Sequence, residues 1–313
     1  MLAEKRQHHA RQTGLGSSPT TLKTRLLSWW RGVGPGQADP GYEAQTEFSA
    51  DQDELSGQPW STDRIAAIEA VWGHGFMLPG GERFARQLLA VLNLSPKNSV
   101  LEVGAGLGGT ARTLSRQHNL WLEAIEPVAQ VAVAGQRCSA AAGLARRAPI
   151  DSIDLETFEL KPRRYHAIYS REWMFTVANK DRVLDQIAAA LKPNGEVLLT
   201  DLVVTAPETR LAGDRNILRP GERAHFWTAD RYSGALRQRG FLVHHALDLT
   251  TEYLDHIHAA WSKVPQTVET LELSPHLREF VVEEGEVWLN RWNALDKGDL
   301  AVMRFHAQLV ESD

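Results

Sequence analysis

The chain has 313 residues, 43% hydrophobic and 23% charged, with a formal net charge of -5; it can bury a sizeable core, and its charge disfavours a general nucleic-acid binder, leaving room only for a local basic patch. The single cysteine, Cys138, excludes a disulfide framework and a cysteine-rich zinc or iron–sulfur centre. No apolar run approaches the roughly 18 residues that span a bilayer, and the opening MLAEKRQHHARQTG lacks the apolar heart of a secretory signal, so a soluble cytoplasmic protein is expected.

Residues 1–60 read as a variable, partly disordered arm. Lys5, Arg6, Arg11, Lys23, Arg25 and Arg31 face one acid, Glu4, and the acids Asp39, Glu43, Glu47, Asp51, Asp53 and Glu54 follow a Gly32-Val-Gly-Pro-Gly36 break. Leu26, Leu27, Trp29 and Trp30 among the basic residues suit a weak contact with an anionic membrane surface, packing on the domain that follows, or packing on a second copy in a homodimer. Residues 61–313 read as one domain with helical lid segments over about 61–95, 205–227 and 252–298. Ser61 or Thr62 caps a helix over 63–71. Trp72-Gly-His-Gly-Phe-Met-Leu-Pro-Gly-Gly81 is a loop, and 82–92 is amphipathic, with Phe84, Leu88, Leu89 and Leu92 near one face.

From there strands and helices alternate. Strands are expected over 99–103, 120–125, 146–150, 166–170, 196–202, 242–249 and 300–309. Helices fall between them over 109–117, 128–142, 181–191 and 228–239. Pro193-Asn-Gly195 is read as the stop before the fifth strand, and Gly240 as the end of the helix that precedes it. Only the mostly helical stretch 252–298 separates the last two strands, so the final one returns antiparallel into an otherwise parallel sheet. The rhythm is that of a three-layer α/β sandwich on a seven-stranded sheet.

The chemistry concentrates at the strand ends. Val100-Leu-Glu-Val-Gly-Ala-Gly-Leu-Gly-Gly-Thr110 carries a buried strand into Gly104 and Gly106 and then a helix. Such a turn lets a ligand approach the backbone and also serves dinucleotides. Here Glu102 sits two residues before the first glycine, where it would repel a pyrophosphate and attract a cationic amino-acid tail. Glu126 ends the second strand, and its carboxylate can accept from both hydroxyls of a ribose; Glu123, three residues earlier, points to the other face or lies deeper. Asp154, with Asp151 as its competitor, follows the third strand and can accept an adenine amino group, while Leu155 covers the ring.

As a set, these residues resemble the class I S-adenosylmethionine (SAM)-dependent methyltransferases, over about residues 70–309. Leu101-Glu-Val-Gly-Ala-Gly-Leu-Gly-Gly is similar to their first motif, Glu126 to their ribose acid, Asp154 to their adenine acid, and Leu191-Lys-Pro-Asn-Gly-Glu to their turn into strand five. Ser170-Arg-Glu-Trp-Met-Phe resembles the segment lining their donor site, which implies Ser170 and Trp173 as donor contacts. Trp72-Gly-His-Gly-Phe-Met-Leu-Pro-Gly-Gly81 is similar to a segment of the phosphoethanolamine and glycine/sarcosine N-methyltransferases, with Trp72 at their tyrosine position. The resemblance implies a Rossmann-like class I methyltransferase fold and SAM as the methyl donor. No histidine follows strand four as in the phosphoethanolamine enzymes, which argues against that substrate.

On the acceptor side His74, Glu172, Arg171 and His225 are the candidate catalytic residues, with Arg223 as a further carboxylate binder. Trp72, Trp173 and Trp227 offer faces to a methylated cation. Trp288 and Trp292, four apart, share a helix face and pack under the final strand. His256 and His258 lack a surrounding ligand cluster, and no metal site is expected. The expected reaction is methyl transfer from SAM to the nitrogen of a small amine or amino-acid-like metabolite. Transfer to a thioether sulfur or a hydroxyl, a non-catalytic SAM-binding role, and a nicotinamide-dependent oxidoreductase stand as alternatives.

Overall fold

The structure, a computed structural model, describes residues 60–207, 209, 217–270 and 275–310. The arm expected over 1–60 lies outside the described residues except for Trp60, and so does its 26–30 stretch. Positions 208 and 210–216 of the expected 205–227 lid, and 271–274 of the 252–298 lid, also lie outside them.

Helix α1 (Thr62–Trp72) begins where the Ser61 hydroxyl accepts the Arg64 N–H at 3.2 Å, and it ends at Gly73, whose φ of 95° few other residues tolerate. Helix α2 (Gly81–Leu89) buries Phe84, Ala85, Leu88 and Leu89. The alternating portion follows: β1 (Val100–Val103), α3 (Gly109–His118), β2 (Leu122–Glu126), α4 (Ala129–Ala141), β3 (Ile150–Ser152), β4 (Tyr165–Arg171), α5 (Lys180–Ala190), β5 (Leu191–Val204), α6 (Ala229–Gln238) and β6 (Phe241–Asp248). Three helices, α7 (Thr250–Trp261), α8 (Val264–Thr270) and α9 (Pro275–Lys297), precede β7 (Leu300–Leu309).

The strands form one seven-stranded sheet in the order β3-β2-β1-β4-β5-β7-β6. The pairs of β1 with β2 and β4, β2 with β3, and β4 with β5 are parallel, and β7 lies antiparallel to both β5 and β6. This is the mainly parallel sheet with a reversed final strand that the sequence implies. All four β1 residues are buried, as a strand covered on both faces requires. Leu101, Val103, Ile125, Ile168, Val197, Leu199, Tyr232 and Phe305 share its main core. The chain leaves β1 towards β2 and leaves β4 towards β5, so the strand order reverses between β1 and β4, and a crevice opens at their carboxyl ends.

Three expectations differ from what is found. The third strand is Ile150–Ser152 instead of 146–150. Residues up to 148 close a series of turns, with Leu144 N–H donating to Ser139 and Ala148 N–H to Leu144, and Pro149 has no N–H for a ladder. The fifth strand starts at Leu191, because Pro193-Asn-Gly195 forms a bulge inside it: Tyr165 pairs with Leu191, then Ala167 with Glu196, and Asn194 takes φ 60°. In the expected 205–227 lid, residues 218–227 form a loop without helix.

Among the described residues no helix is long and apolar enough to cross a membrane. Phe305 on β7 is fully buried, its ring 5.0 Å from that of Tyr232 on α6. Phe305→Ala is expected to destabilise the fold by about 3–5 kcal/mol, seen as a lower urea midpoint at an unchanged m-value.

Candidate functional site

A cavity of about 510 Å³ lies at the carboxyl ends of β1 and β4. Its floor is the turn after β1. Gly104 and Ala105 donate to the Ile125 carbonyl at 2.9 and 3.0 Å, which bends the chain, and Gly104 and Gly106 take φ of 69° and 55°. A Cβ on Gly104 would meet Trp173 Cγ at 2.2 Å, so glycine is required for the Trp173 ring to lie against the turn. Glu126 braces the same turn: Oε2 accepts the Gly106 N–H at 2.8 Å and Oε1 the Val128 N–H at 3.0 Å. Burial pushes this carboxyl up to about 7, against the opposing pull of those two N–H groups.

Two further buried carboxylates line the cavity, Glu102 and Glu172, with the Tyr169 hydroxyl facing the first and the Tyr253 hydroxyl the second. Burial raises Glu102 to about 8, with Tyr169 and the Arg171 charge offsetting part of the effect. Glu172 has a backbone φ of 41°, outside the usual range for a side chain of its size. Its nearest cation is Arg171, at 3.7 Å from Oε2. The Arg171 guanidinium is itself held by Thr110 Oγ1 and the Pro79 carbonyl, each at 3.3 Å.

The roof is tied down by a buried ion pair. Arg219 donates to Glu284 through Nε at 3.0 Å and Nη2 at 2.6 Å, and to the Met77 carbonyl at 2.7 Å. The indoles of Trp72 and Trp288 donate to Glu284 Oε1 at 3.0 and 2.7 Å. Burial alone would raise Glu284, but the Arg219 charge and these bonds outweigh it and hold the carboxyl below the ordinary range. Arg291 adds bonds to the Ile217 carbonyl at 2.7 Å and to Glu222 at 3.1 Å. Helix α9, the loop before α6 and the loop between α1 and α2 therefore close over the cavity as a unit. Below the 218–227 loop, Lys180 donates to the carbonyls of Val177 and His225, and Asp201 accepts the Phe175 N–H at 3.0 Å and the Tyr232 hydroxyl at 2.5 Å.

Of the residues singled out in the sequence, Glu102, Gly104, Gly106, Glu126, Asp154, Arg171, Glu172, Trp173, Arg223 and His225 line this one cavity. Four lie elsewhere. Trp72 is buried under the roof against Glu284, its ring 4.6 Å from that of Trp288. His74 turns outward, 79% exposed, with Nδ1 2.9 Å from Glu69. Leu155 and Ser170 are fully buried below the lining. Trp227 is buried in the core, and the Trp288 ring lies against that of Trp72. Sequence reasoning missed Arg219, Glu284 and Asp201. Asp201, an acid at the end of the apolar run Val-Leu-Leu-Thr, did carry a legible signal. Arg219 and Glu284 stand 65 residues apart, and nothing local links them.

A sequence family described as a methyltransferase domain matches residues 78–246. Phosphoethanolamine N-methyltransferase 1 of Arabidopsis thaliana is 25% identical over 201 residues, 64% of this chain and 40% of that protein. Glycine/sarcosine/dimethylglycine N-methyltransferase of Actinopolyspora halophila is 24% identical over 120 residues, 38% of this chain and 21% of that protein. Among solved structures, phosphoethanolamine N-methyltransferase 2 of Haemonchus contortus, in complex with phosphomonomethylethanolamine and S-adenosylhomocysteine, superposes with a TM-score of 0.69 at 21% identity, covering 80% of this chain and 58% of that one. The chain thus spans about half the length, or less, of these relatives.

Two outcomes are expected from the charges described. Glu284→Ala leaves the Arg219 guanidinium buried without its partner and is expected to cost about 3–5 kcal/mol, read from chemical denaturation. Glu102 is raised in the folded state from 4.5 to about 8, so the folded chain holds more protons between those values. Its contribution to stability is present below pH ~4.5 and is lost as pH rises through about 8. Denaturation midpoints of the ligand-free protein should fall less over that window in Glu102→Gln.

Proposed function

The chain belongs to the methyltransferase-domain family, and from that premise we propose that it transfers the methyl group of S-adenosylmethionine to the nitrogen of a small amine or amino-acid-like metabolite. The observation that carries the acceptor assignment is Glu172, a buried carboxylate at the cavity wall that faces the Tyr253 hydroxyl and whose ion-pair partner among the described residues is Arg171, at 3.7 Å.

The residues present fit the donor. Glu102 offers a buried carboxylate oxygen to the ammonium of its amino-acid tail. Glycines at 104 and 106 let Trp173 and Met77 pack close to the turn, and both glycines line the cavity. Glu126 spends one lone pair per oxygen on the backbone, and its remaining lone pairs suit the ribose hydroxyls. Asp154, with Pro127, Val128 and Val131 also in the lining, suits the adenine. When bound, the donor supplies a methyl group already activated on a sulfonium, so the protein's task is alignment and exclusion of water.

The lining carries Glu102, Glu126, Asp154, Glu156, Glu172 and Glu222 against Arg171, Arg219, Arg223 and His225. Arg219 is already neutralised by Glu284, and Arg171 leans on Glu172. Glu222 is likewise paired with Arg291, and burial pushes Glu102 and Glu126 up, so Glu172 is the acid at the wall left to meet a cationic or neutral acceptor. An amine arrives protonated and attacks only when neutral. Glu172 binds the ammonium and is the group that holds its proton before transfer, while Arg171, at 3.7 Å from Oε2, orients the carboxylate. Trp173 lends an aromatic wall to the cation that forms.

The test is turnover of isotopically labelled SAM by the full chain against a panel of small amines, thioethers and hydroxyl compounds, read by mass spectrometry. Glu172→Gln is expected to lower kcat/KM with the best amine by about 10²–10⁴-fold while S-adenosylhomocysteine affinity, measured by calorimetry, stays within about twofold. No methylated amine in any reaction, or full turnover by Glu172→Gln, would sink the proposal.

A further inference from the structure

Outside the cavity, three unlike side chains meet that the reading above leaves without a role. Glu69 on α1, His74 in the loop between α1 and α2, and Cys138 near the end of α4 place one ligand atom each within 4.8 Å of one another. Glu69 Oε1 lies 2.9 Å from His74 Nδ1 and 3.9 Å from Cys138 Sγ. Zinc bonds of about 2.0–2.3 Å in tetrahedral geometry put donor atoms roughly 3.3–3.7 Å apart, so small rotations of the exposed His74 and of the Glu69 and Cys138 side chains bring the set to that spacing. A cleft of about 290 Å³ reaches His74 and Cys138 from the surface.

We propose that Glu69, His74 and Cys138 form a binding site for a zinc ion, completed by water. A thiolate and an imidazole select a borderline-soft ion over magnesium or calcium. The carboxylate and the thiolate together neutralise a divalent charge, and the proton leaving the Cys138 sulfur goes to solvent. The Gly75 N–H, 2.6 Å from Glu69 Oε1, orients that carboxylate. Arg112 holds the Gly75 carbonyl at 3.1 Å and lies within 3.5 Å of Ser139 Oγ, which fixes the loop carrying His74 although its charge opposes the metal. The ion would staple three elements at one point. Residues 75–78 of the same loop line the main cavity, so the staple fixes one edge of the roof.

Cobalt replaces zinc as the probe. The reduced, metal-free full chain is titrated with Co²⁺ alone and then with Zn²⁺. Because Cys138 is the only cysteine in the chain, a thiolate-to-cobalt charge-transfer band has one possible source. The expected result is that band, saturating at one equivalent, accompanied by the strong visible absorption of tetrahedral cobalt and abolished by Zn²⁺. Cys138→Ser is expected to remove it. His74→Ala, at an exposed position, is expected to weaken Co²⁺ binding by at least about tenfold without moving the metal-free melting temperature. The absence of a thiolate band in the parent chain, or a band that His74→Ala leaves at unchanged affinity, would overturn the proposal. None of these readouts depends on methyl transfer.

Discussion

Two parallel strands that lie side by side but hand their chains to opposite neighbours cannot cover their own carboxyl ends. That constraint, set by the order β3-β2-β1-β4-β5-β7-β6, governs the rest of the molecule. It puts Gly104 after β1 and Glu172 after β4 on the same rim, and it leaves the rim to be roofed by segments from elsewhere. The roof is accordingly assembled from three distant parts of the chain, with Arg219 bridging from the loop before α6 to Glu284 on α9 and to the Met77 carbonyl between α1 and α2.

The cost of that arrangement is electrostatic. Carboxylates are normally left in water, and a buried one is tolerated when it is paired or allowed to keep its proton. The two solutions coexist within one site. Glu284 takes four hydrogen bonds from Arg219, Trp72 and Trp288 and stays ionised. Glu102 lacks such a set and is pushed towards the neutral form. The first arrangement is what a permanent strut needs. The second leaves a group whose charge depends on what sits beside it, which is how a binding site differs from a scaffold.

Much of this was legible from the sequence because its signals are local. Buried strands announce themselves as short apolar runs, and the turn after β1 by glycines at 104, 106, 108 and 109. The reversal of β7 followed from the helical stretch before it. Legibility ended where the controlling contact is remote. Trp72 sits in a motif suited to a ligand, yet its indole is claimed by Glu284, 212 residues away. The third strand was displaced by turns that close between 139 and 148, and a bulge absorbed a Pro-Asn-Gly that reads as a stop. Leu155 and Ser170 stand beside cavity-lining neighbours, but burial is decided by which way a residue faces, and one position is enough to change that.

The backbone of Glu172 carries a further consequence. A glutamate held at φ 41° occupies a conformation that glycine or asparagine adopts with less strain. Random change followed by selection for thermostability alone would therefore drift towards one of those residues and discard the carboxylate in doing so. A lineage that keeps an acid at this position is retaining it against its own folding interest, so the residue type found there in natural variants becomes a record of whether the cavity is still in use.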